Sequence, residues 1–360
     1  MHPIINEDMI SKVGAVLKSG KLSGFVGREG SKGGLWVQAL EEAFKEYFNI
    51  QHAVAMNSAT SCLHAACIAL NVKKAIVTPY SFVSSASCVN MAGGTSTFVD
   101  VEEDYFCMDP SKIHIEDEDT IIPVHLCGQP ADMDAIMKFK EMHVIEDCAQ
   151  AIGARYKGKL VGTIGDCGVF SFNQSKTIST GEGGILITNN DHIARVARAV
   201  RNHAEVSDPS LKIIGYNYRM CEVEARLALE QFKKLNKMNA YRKMLCEYMT
   251  EKLEGLTPPK VREDCTHVYY TYAMKYDSSK LNGHRDKFQD RMIKKGVYLG
   301  KGYVKPLYTL PIYGGKFGTH PVVENLYKNE IVVTDILRPP MKLKDVDKII
   351  ETIKEALYEH

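Results

Sequence analysis

Residues 170–184 read FSFNQSKTISTGEGG. An apolar, strand-like FSF leads to a single lysine, Lys176, and then to a glycine-rich turn. Three readings are open for Lys176: a solvated surface charge, a phosphate ligand, or a nucleophile. A lysine near a strand end becomes a Schiff-base nucleophile when its surroundings lower its pKa. A lone lysine is more commonly just solvated. The TGEGG that follows reads as a tight loop through which backbone approaches a ligand closely. The rest of the chain has to choose among these readings.

Outward from this stretch, short β-rich runs alternate with helical ones. HAVAM precedes ATSCLHAACIAL, and KAIVTPY precedes SFVSSASCVNMAGG. TSTFVDV and TIIPVHL add strands, and DMDAIMKFKEM reads as a helix leading into the strand HVIEDC. Such alternation predicts an α/β fold with a mostly parallel central sheet covered by helices on both faces. Ligands of such sheets collect at the carboxyl ends of the strands. Upstream, EDMISKVGAVLKSG has helical spacing and stops at Gly20, and LWVQALEEAFKEYF is an amphipathic helix. The Gly- and Ser-rich loop over 20–34, with Arg28, is a candidate substrate cover, although Arg28 serves equally as a surface charge. From Met220 the pattern changes. CEVEARLALEQFKKLNKMNAYRKMLCEYMTEKLEGL reads as long helix, HVYYTYAMKY as an alternating strand, and HRDKFQDRMIKKG and KLKDVDKIIETIKEAL as further helices. The expected organisation is a large domain over 1–240 and a smaller C-terminal α/β domain over 241–360.

Composition removes several classes. The chain has 360 residues, 45% of them hydrophobic and 25% charged, enough for two domains or one large α/β unit. A net charge of +1 gives no reason to expect nucleic acid or an anionic membrane as partner. None of the ten cysteines forms a CxxC pair, and most sit in apolar runs such as CLHAAC. They read as buried hydrophobes in a reducing compartment, not as a disulfide or metal framework. No signal-peptide pattern opens the chain and no apolar run is long enough to span a membrane, so a cytoplasmic enzyme is expected. GTIGDCG precedes a strand, so it is not a dinucleotide fingerprint, and no GxxxxGK[ST], HExxH or GxSxG occurs.

Two further stretches sit at strand ends. NSATS, 57–61, lies between a strand and a helix, where backbone N–H groups and hydroxyls would meet an anion. A plain N-cap by Ser58 or Thr60 accounts for it equally well. HVIEDCAQA, 143–151, puts Glu146 and Asp147 at the end of an apolar strand. A carboxylate there is costly without a cationic or N–H partner. A protonated pyridine nitrogen is one such partner; a Lys or Arg of the chain is the other.

Together these stretches resemble the pyridoxal-phosphate-dependent sugar aminotransferases of the DegT/DnrJ/EryC1/StrS family, which have the type I aminotransferase fold. The resemblance runs from LSGF at 22–25 to the C-terminal helix and is densest over 54–219. NSATSCLHAA, TPYSFVSSA, VHLCGQPADMDAI, VIEDCAQAIGA, FSFNQSKTISTGEGG and GYNYRM carry it, in that order.

The resemblance implies pyridoxal 5'-phosphate as cofactor, and it implies roles. Lys176 matches the lysine that carries the cofactor and shuttles the proton. Asp147 matches the carboxylate facing the pyridine nitrogen. Gln150 matches a contact to the ring face or its phenolic oxygen, and Phe82 the aromatic stacked on the opposite face. Ala59, Thr60 and Ser171 would hold the phosphate. Asn217 matches a residue reaching that phosphate from a neighbouring subunit, which implies a homodimer with shared active sites, though GYN also suits a plain turn. No metal is implied. Dehydratases of the family carry His at the lysine position, so Lys176 favours transamination. The expected reaction moves an amino group from L-glutamate to a nucleotide-linked keto sugar, most plausibly a 4-keto-6-deoxy sugar. A non-catalytic cofactor-binding regulator, or a transaminase of a cyclitol or free keto sugar, is the alternative. KNEIVVTDILRPPMKL and KGYVKPLYTLPIYGG depart from the common family pattern, on the substrate side.

Overall fold

Asn6 caps the first helix by accepting from Met9 N, and Gly20, at φ 67°, ends it. This helix is α1 (Glu7–Ser19). The structure, a computed structural model, describes residues 5–25, 32–205, 210–281 and 283–358. The middle of the 20–34 loop, with Arg28, therefore lies outside the described residues. In α2 (Leu35–Phe48), Val37, Leu40, Phe44 and Phe48 recur at helical spacing and are buried.

The alternation then appears as expected. β1 (His52–Met56) leads to α3 (Ala59–Ala69), and β2 (Lys74–Val77) to α4 (Ser84–Met91). β3 (Thr95–Phe98) and β4 (Thr120–Ile122) follow, then α5 (Met133–Ile136) and β5 (His143–Asp147). The short β6 (Arg155–Tyr156) and β7 (Lys159–Leu160) pair as a hairpin. β8 (Cys167–Ser171) and β9 (Gly184–Thr188) flank the lysine loop, and α6 (Asp191–Arg201) follows. Seven strands form one sheet in the order β1-β9-β8-β5-β4-β2-β3.

All of its pairings are parallel except those of β9, which is antiparallel to β1 and β8. The sequence reading did not single out β9. It runs backwards because it forms a direct hairpin with β8, with Ser171 opposite Gly184, and a parallel return needs a long crossover. Alternate residues of each strand feed two cores. Ala53, Ala55, Phe170 and Ile185 pack with α2 residues; Val54, Met56, Val169 and Leu186 pack with α3 and α6 residues.

Three expected elements come out shorter. The DMDAIMKFKEM helix is one turn, Met133–Ile136, after which tight turns at Lys138 and Phe139 carry Met142 into the core. The long helix from residue 221 is two, α7 (Glu222–Phe232) and α8 (Leu235–Lys252). Their break at Lys233–Lys234 leaves Phe232 stacked on Phe44 at 4.2 Å in the first core, while Leu245, Cys246 and Met249 of α8 pack in another. HVYYTYAMKY is strand only in part. β10 (Cys265–Thr266) pairs with β6, and β11 (Tyr272–Lys275) starts later. Between them Tyr269 has φ 50°, and the backbone bonds to Cys127 and Gly128 instead (Val268 N to Gly128 O, 3.1 Å; Thr271 N to Cys127 O, 3.3 Å).

The C-terminal third completes an α/β unit. α9 (Arg285–Lys294), β12 (Gly300–Lys301), α10 (Pro321–Asn325), β13 (Ile331–Thr334) and α11 (Leu343–Tyr358) follow in order. β11-β13-β12 is an antiparallel sheet, and α8, α9 and α11 share its core. Tyr308, Val323, Leu326 and Ile331 instead join the first core, so the two parts are packed together. No described helix is long and apolar enough to cross a membrane. All ten cysteines are free thiols, eight of them buried.

Two tests follow from this packing. A Cβ on Gly184 would lie 2.4 Å from Ala59 N, a backbone atom that has no rotamer to escape into. Gly184→Ala is expected to lower stability in urea unfolding by about 1–3 kcal/mol; an unchanged midpoint would show that α3 can retreat freely. His267 is buried, accepts from Tyr269 N through Nδ1 at 2.8 Å, and has its pKa pushed down to about 3 by burial. Its neutral form is favoured in the fold, so its contribution is complete above the unfolded pKa near 6.5 and is lost as pH falls toward 3. Replacing His267 with Phe should flatten stability over that window; an identical acid profile would remove His267 from the account.

Candidate active site

The strand ends converge on one cavity of about 390 Å³. Ala59, Thr60, Phe82, Asp147, Gln150, Ser171 and Lys176 all line it. Of the site residues named from the sequence, only Asn217 does not. It is exposed, forms an isolated antiparallel bridge with Asn202, and its carbonyl accepts from Asn57 Nδ2 at 3.3 Å.

One end of the cavity is built for an anion. Ser58 is a true N-cap: Oγ accepts from Ser61 N at 3.1 Å, and its carbonyl from Cys62 N at 3.2 Å. The cap does not engage the N–H groups of Ala59 and Thr60, which stand at the positive mouth of α3. Thr60 Oγ1 lies 2.7 Å from Ser84 Oγ, and Ser171 faces the same space. The cap reading and the anion reading of NSATS are thus compatible.

The adjacent carboxylates at the end of β5 diverge. Glu146 is fully buried and saturated: it accepts from Gly162 N at 2.7 Å, Ile164 N at 2.6 Å, Gly165 N at 2.7 Å and His125 Nε2 at 3.0 Å. His125 Nδ1 accepts from Ala131 N, so the ring is neutral and donates through Nε2. His125, Glu146 and Cys148 are close enough to ligate a metal, yet these bonds already occupy Glu146 and both His125 nitrogens. Asp147 is 4% exposed, and among the described residues its carboxylate accepts from only Ser85 Oγ at 2.7 Å and Ala149 N at 3.1 Å. It has no ion pair among the described residues, and it lines the cavity. A buried anion facing a cavity without a cation of its own fits a protonated ring nitrogen.

Gln150 is fixed from both sides. Its Oε1 accepts from Cys127 N at 2.8 Å, and its Nε2 donates to the Tyr303 hydroxyl. Burial holds the Tyr303 phenol well above its ordinary pKa, so it stays neutral. Phe82, 61% exposed, stands at the rim, free to cover a planar ligand.

Lys176 leaves the β8 end in a turn closed by Lys176 N to Asn173 O at 2.8 Å. Its Nζ lies 3.4 Å from the Tyr270 hydroxyl and 4.5 Å from the ring centroid, and it has no ion pair among the described residues. The amine is therefore presented to the cavity without a counter-ion. The glycines after it make a tight loop, whose Glu182 lines the cavity. Gly181 and Gly183 have φ of 90° and 148°, and Gly184 packs against the start of α3 rather than making room for a ligand.

Several cavity residues escaped sequence reasoning. Ser85, which holds Asp147, lies four residues after Ser81, and their hydroxyls are 2.8 Å apart. That spacing within SFVSSAS was a usable signal. Tyr270 and Tyr303 come from the C-terminal third and carried no local signal.

The chain is similar to known proteins along nearly its whole length. The model of the DegT/DnrJ/EryC1/StrS aminotransferase family matches residues 3–354. GDP-perosamine synthase of Caulobacter vibrioides is 32% identical, with 90% of this chain and 91% of that protein aligned. The spore coat polysaccharide biosynthesis protein SpsC of Bacillus subtilis is 31% identical over 99% of this chain and 96% of its own. An aminotransferase structure from Psychrobacter cryohalolentis superposes with a TM-score of 0.89 at 27% identity, covering 98% of this chain and 97% of that one. The α/β architecture with its mostly parallel sheet is the fold of these aminotransferases. The chain belongs to the DegT/DnrJ/EryC1/StrS aminotransferase family.

Proposed function

We propose that this sugar aminotransferase moves an amino group from L-glutamate to a nucleotide-linked keto-deoxy sugar, a 4-keto-6-deoxy sugar foremost. The observation that carries the reading is the unpaired Asp147–Lys176 arrangement across one cavity, below an anion-binding helix mouth. The names of GDP-perosamine synthase and of the spore coat polysaccharide biosynthesis protein SpsC support amino-sugar chemistry for polysaccharide; we read the product as one for surface polysaccharide or O-antigen. The fit of the cavity supports pyridoxal phosphate. When bound, it supplies an electron-poor ring that takes up the electron pair released as a proton leaves the substrate carbon.

The chain's residues do the rest. Asp147 holds a proton on the ring nitrogen, and Ser85 and Ala149 N fix its carboxylate for that task. Lys176 Nζ takes the proton from the substrate carbon and delivers it again, as general base and acid. The Ala59 and Thr60 N–H groups and the Thr60 and Ser171 hydroxyls bind the phosphate. Gln150 would contact the bound ring's face or its phenolic oxygen, and Phe82 would cover the opposite face. Asn217 does not line its own chain's cavity; we read it as serving a second copy's site and the protein as a homodimer. Residues 1–240 form the cofactor domain and 241–360 the smaller one, a division supported by the separate core that starts at Leu245. Ten free thiols suit a cytoplasmic location.

Lys176→Ala is expected to cut transamination by about a thousandfold or more and to remove the absorbance band of lysine-bound cofactor, with circular dichroism unchanged. Asp147→Asn should still bind cofactor but lose about a hundredfold in kcat; wild-type rates in either variant would reject the assigned role. With glutamate as donor, nucleotide-linked keto sugars should be aminated and the free keto sugars or cyclitols should not. The reverse preference would discard the nucleotide-sugar assignment.

A further inference from the structure

Behind the lysine turn lies a second and larger cavity of about 660 Å³, which shares only Lys176 with the first. Its walls are largely apolar, built by Met9, Met238 and the Pro339–Pro340 pair. Besides Lys176, four cations line it: Lys234, Lys237, Arg242 and Arg338. No carboxylate is among its lining residues.

The two arginines are the unusual part. Arg242 is 5% exposed, and its one side-chain hydrogen bond among the described residues is Nη1 to Thr177 Oγ1 at 2.7 Å. It has no ion pair among the described residues. Arg338 is 7% exposed; its Nε is buried without a partner, and its ion pair is with the half-exposed Asp335 at 3.2 Å. Burial, reinforced by the neighbouring Arg338 charge, brings the Arg242 pKa down to about 10. Two like charges buried side by side, with one partial counter-ion, are costly unless an anion joins them.

We propose that this cavity is a second ligand site, for an organic anion whose charged group meets Arg242 and Arg338 and whose apolar body lies along the Met238 and Pro339–Pro340 walls. The site adjoins the segment that carries the reactive lysine. Arg242 holds Thr177, and Gln231 clamps Ser179 through Ser179 N at 3.0 Å and Ser179 O at 2.7 Å. An anion here therefore touches groups that fix the turn after Lys176.

The probe for the test is 8-anilinonaphthalene-1-sulfonate, an aromatic body with one sulfonate. Titrated into the full-length protein, it is expected to bind one per chain with a rise in fluorescence, and saturating pyridoxal phosphate should not displace it. Arg242→Met and Arg338→Gln should each weaken it about tenfold, and the neutral N-phenyl-1-naphthylamine should bind far less well. Arg338→Gln guards against misfolding of the more buried Arg242 variant, with circular dichroism as the check. Absence of saturable binding would overturn the proposal. So would displacement by pyridoxal phosphate, equal binding of the neutral analogue, or affinity unchanged in Arg338→Gln.

Discussion

The site depends on the absence of one side chain. β9 starts at Gly184, where a Cβ would stand 2.4 Å from Ala59 N and 2.5 Å from the Ser58 carbonyl carbon. Only glycine lets the mouth of α3 come down onto the β8–β9 hairpin. Gly184 pairs with Ser171, so the same contact brings the anion-binding N–H groups beside the Ser171 hydroxyl. Lys176 sits in the loop that closes this hairpin. Asp147 reaches the cavity from β5, whose register places it next to Val169 of β8. Strand pairing and one steric constraint thus fix the anion end, the ring carboxylate and the amine relative to each other.

The second determinant is how charge is settled at the end of β5. Consecutive strand residues point to opposite faces, so Glu146 and Asp147 meet different surroundings. Glu146 finds three backbone N–H groups and His125. Asp147 finds a serine, one N–H and a cavity. The first is structural glue between β5 and the 162–165 turn. The second retains unspent capacity for a cation, which is what binding a protonated heterocycle requires. Lys176 has a complementary property: its amine rests on the Tyr270 ring, not on a carboxylate, so no strong ion pair must break before it can react.

Much of this was legible because it is local. Strand ends, the N-cap at Ser58, the ED pair and the lysine loop are short motifs whose geometry follows from adjacent residues. The seven cavity residues that the resemblance pointed to all fall in short stretches between 59 and 176. What stayed hidden is tertiary. Nothing in GILIT says that it runs against its neighbours; the hairpin connection decides that. HVYYTYAMKY alternates like a strand, yet bonds to Cys127 and Gly128 interrupt it and place Tyr270 over Lys176. The helical pattern from 221 is continuous in sequence, while packing splits it where Phe232 must stay with Phe44. TGEGG read as a tight loop that brings backbone close to a ligand; nothing in it says that its last glycine makes room for the start of α3. Asn217 lies outside the cavity of its own chain, so the role proposed for it needs a second copy.

The central claim is that this cavity binds pyridoxal phosphate on Lys176 and exchanges its amino group with a donor. The most direct test is the absorbance spectrum of the purified protein with pyridoxal phosphate, before and after addition of L-glutamate. The account predicts a band of lysine-bound cofactor that gives way to the pyridoxamine band when glutamate is added. A protein that takes up no cofactor would contradict it.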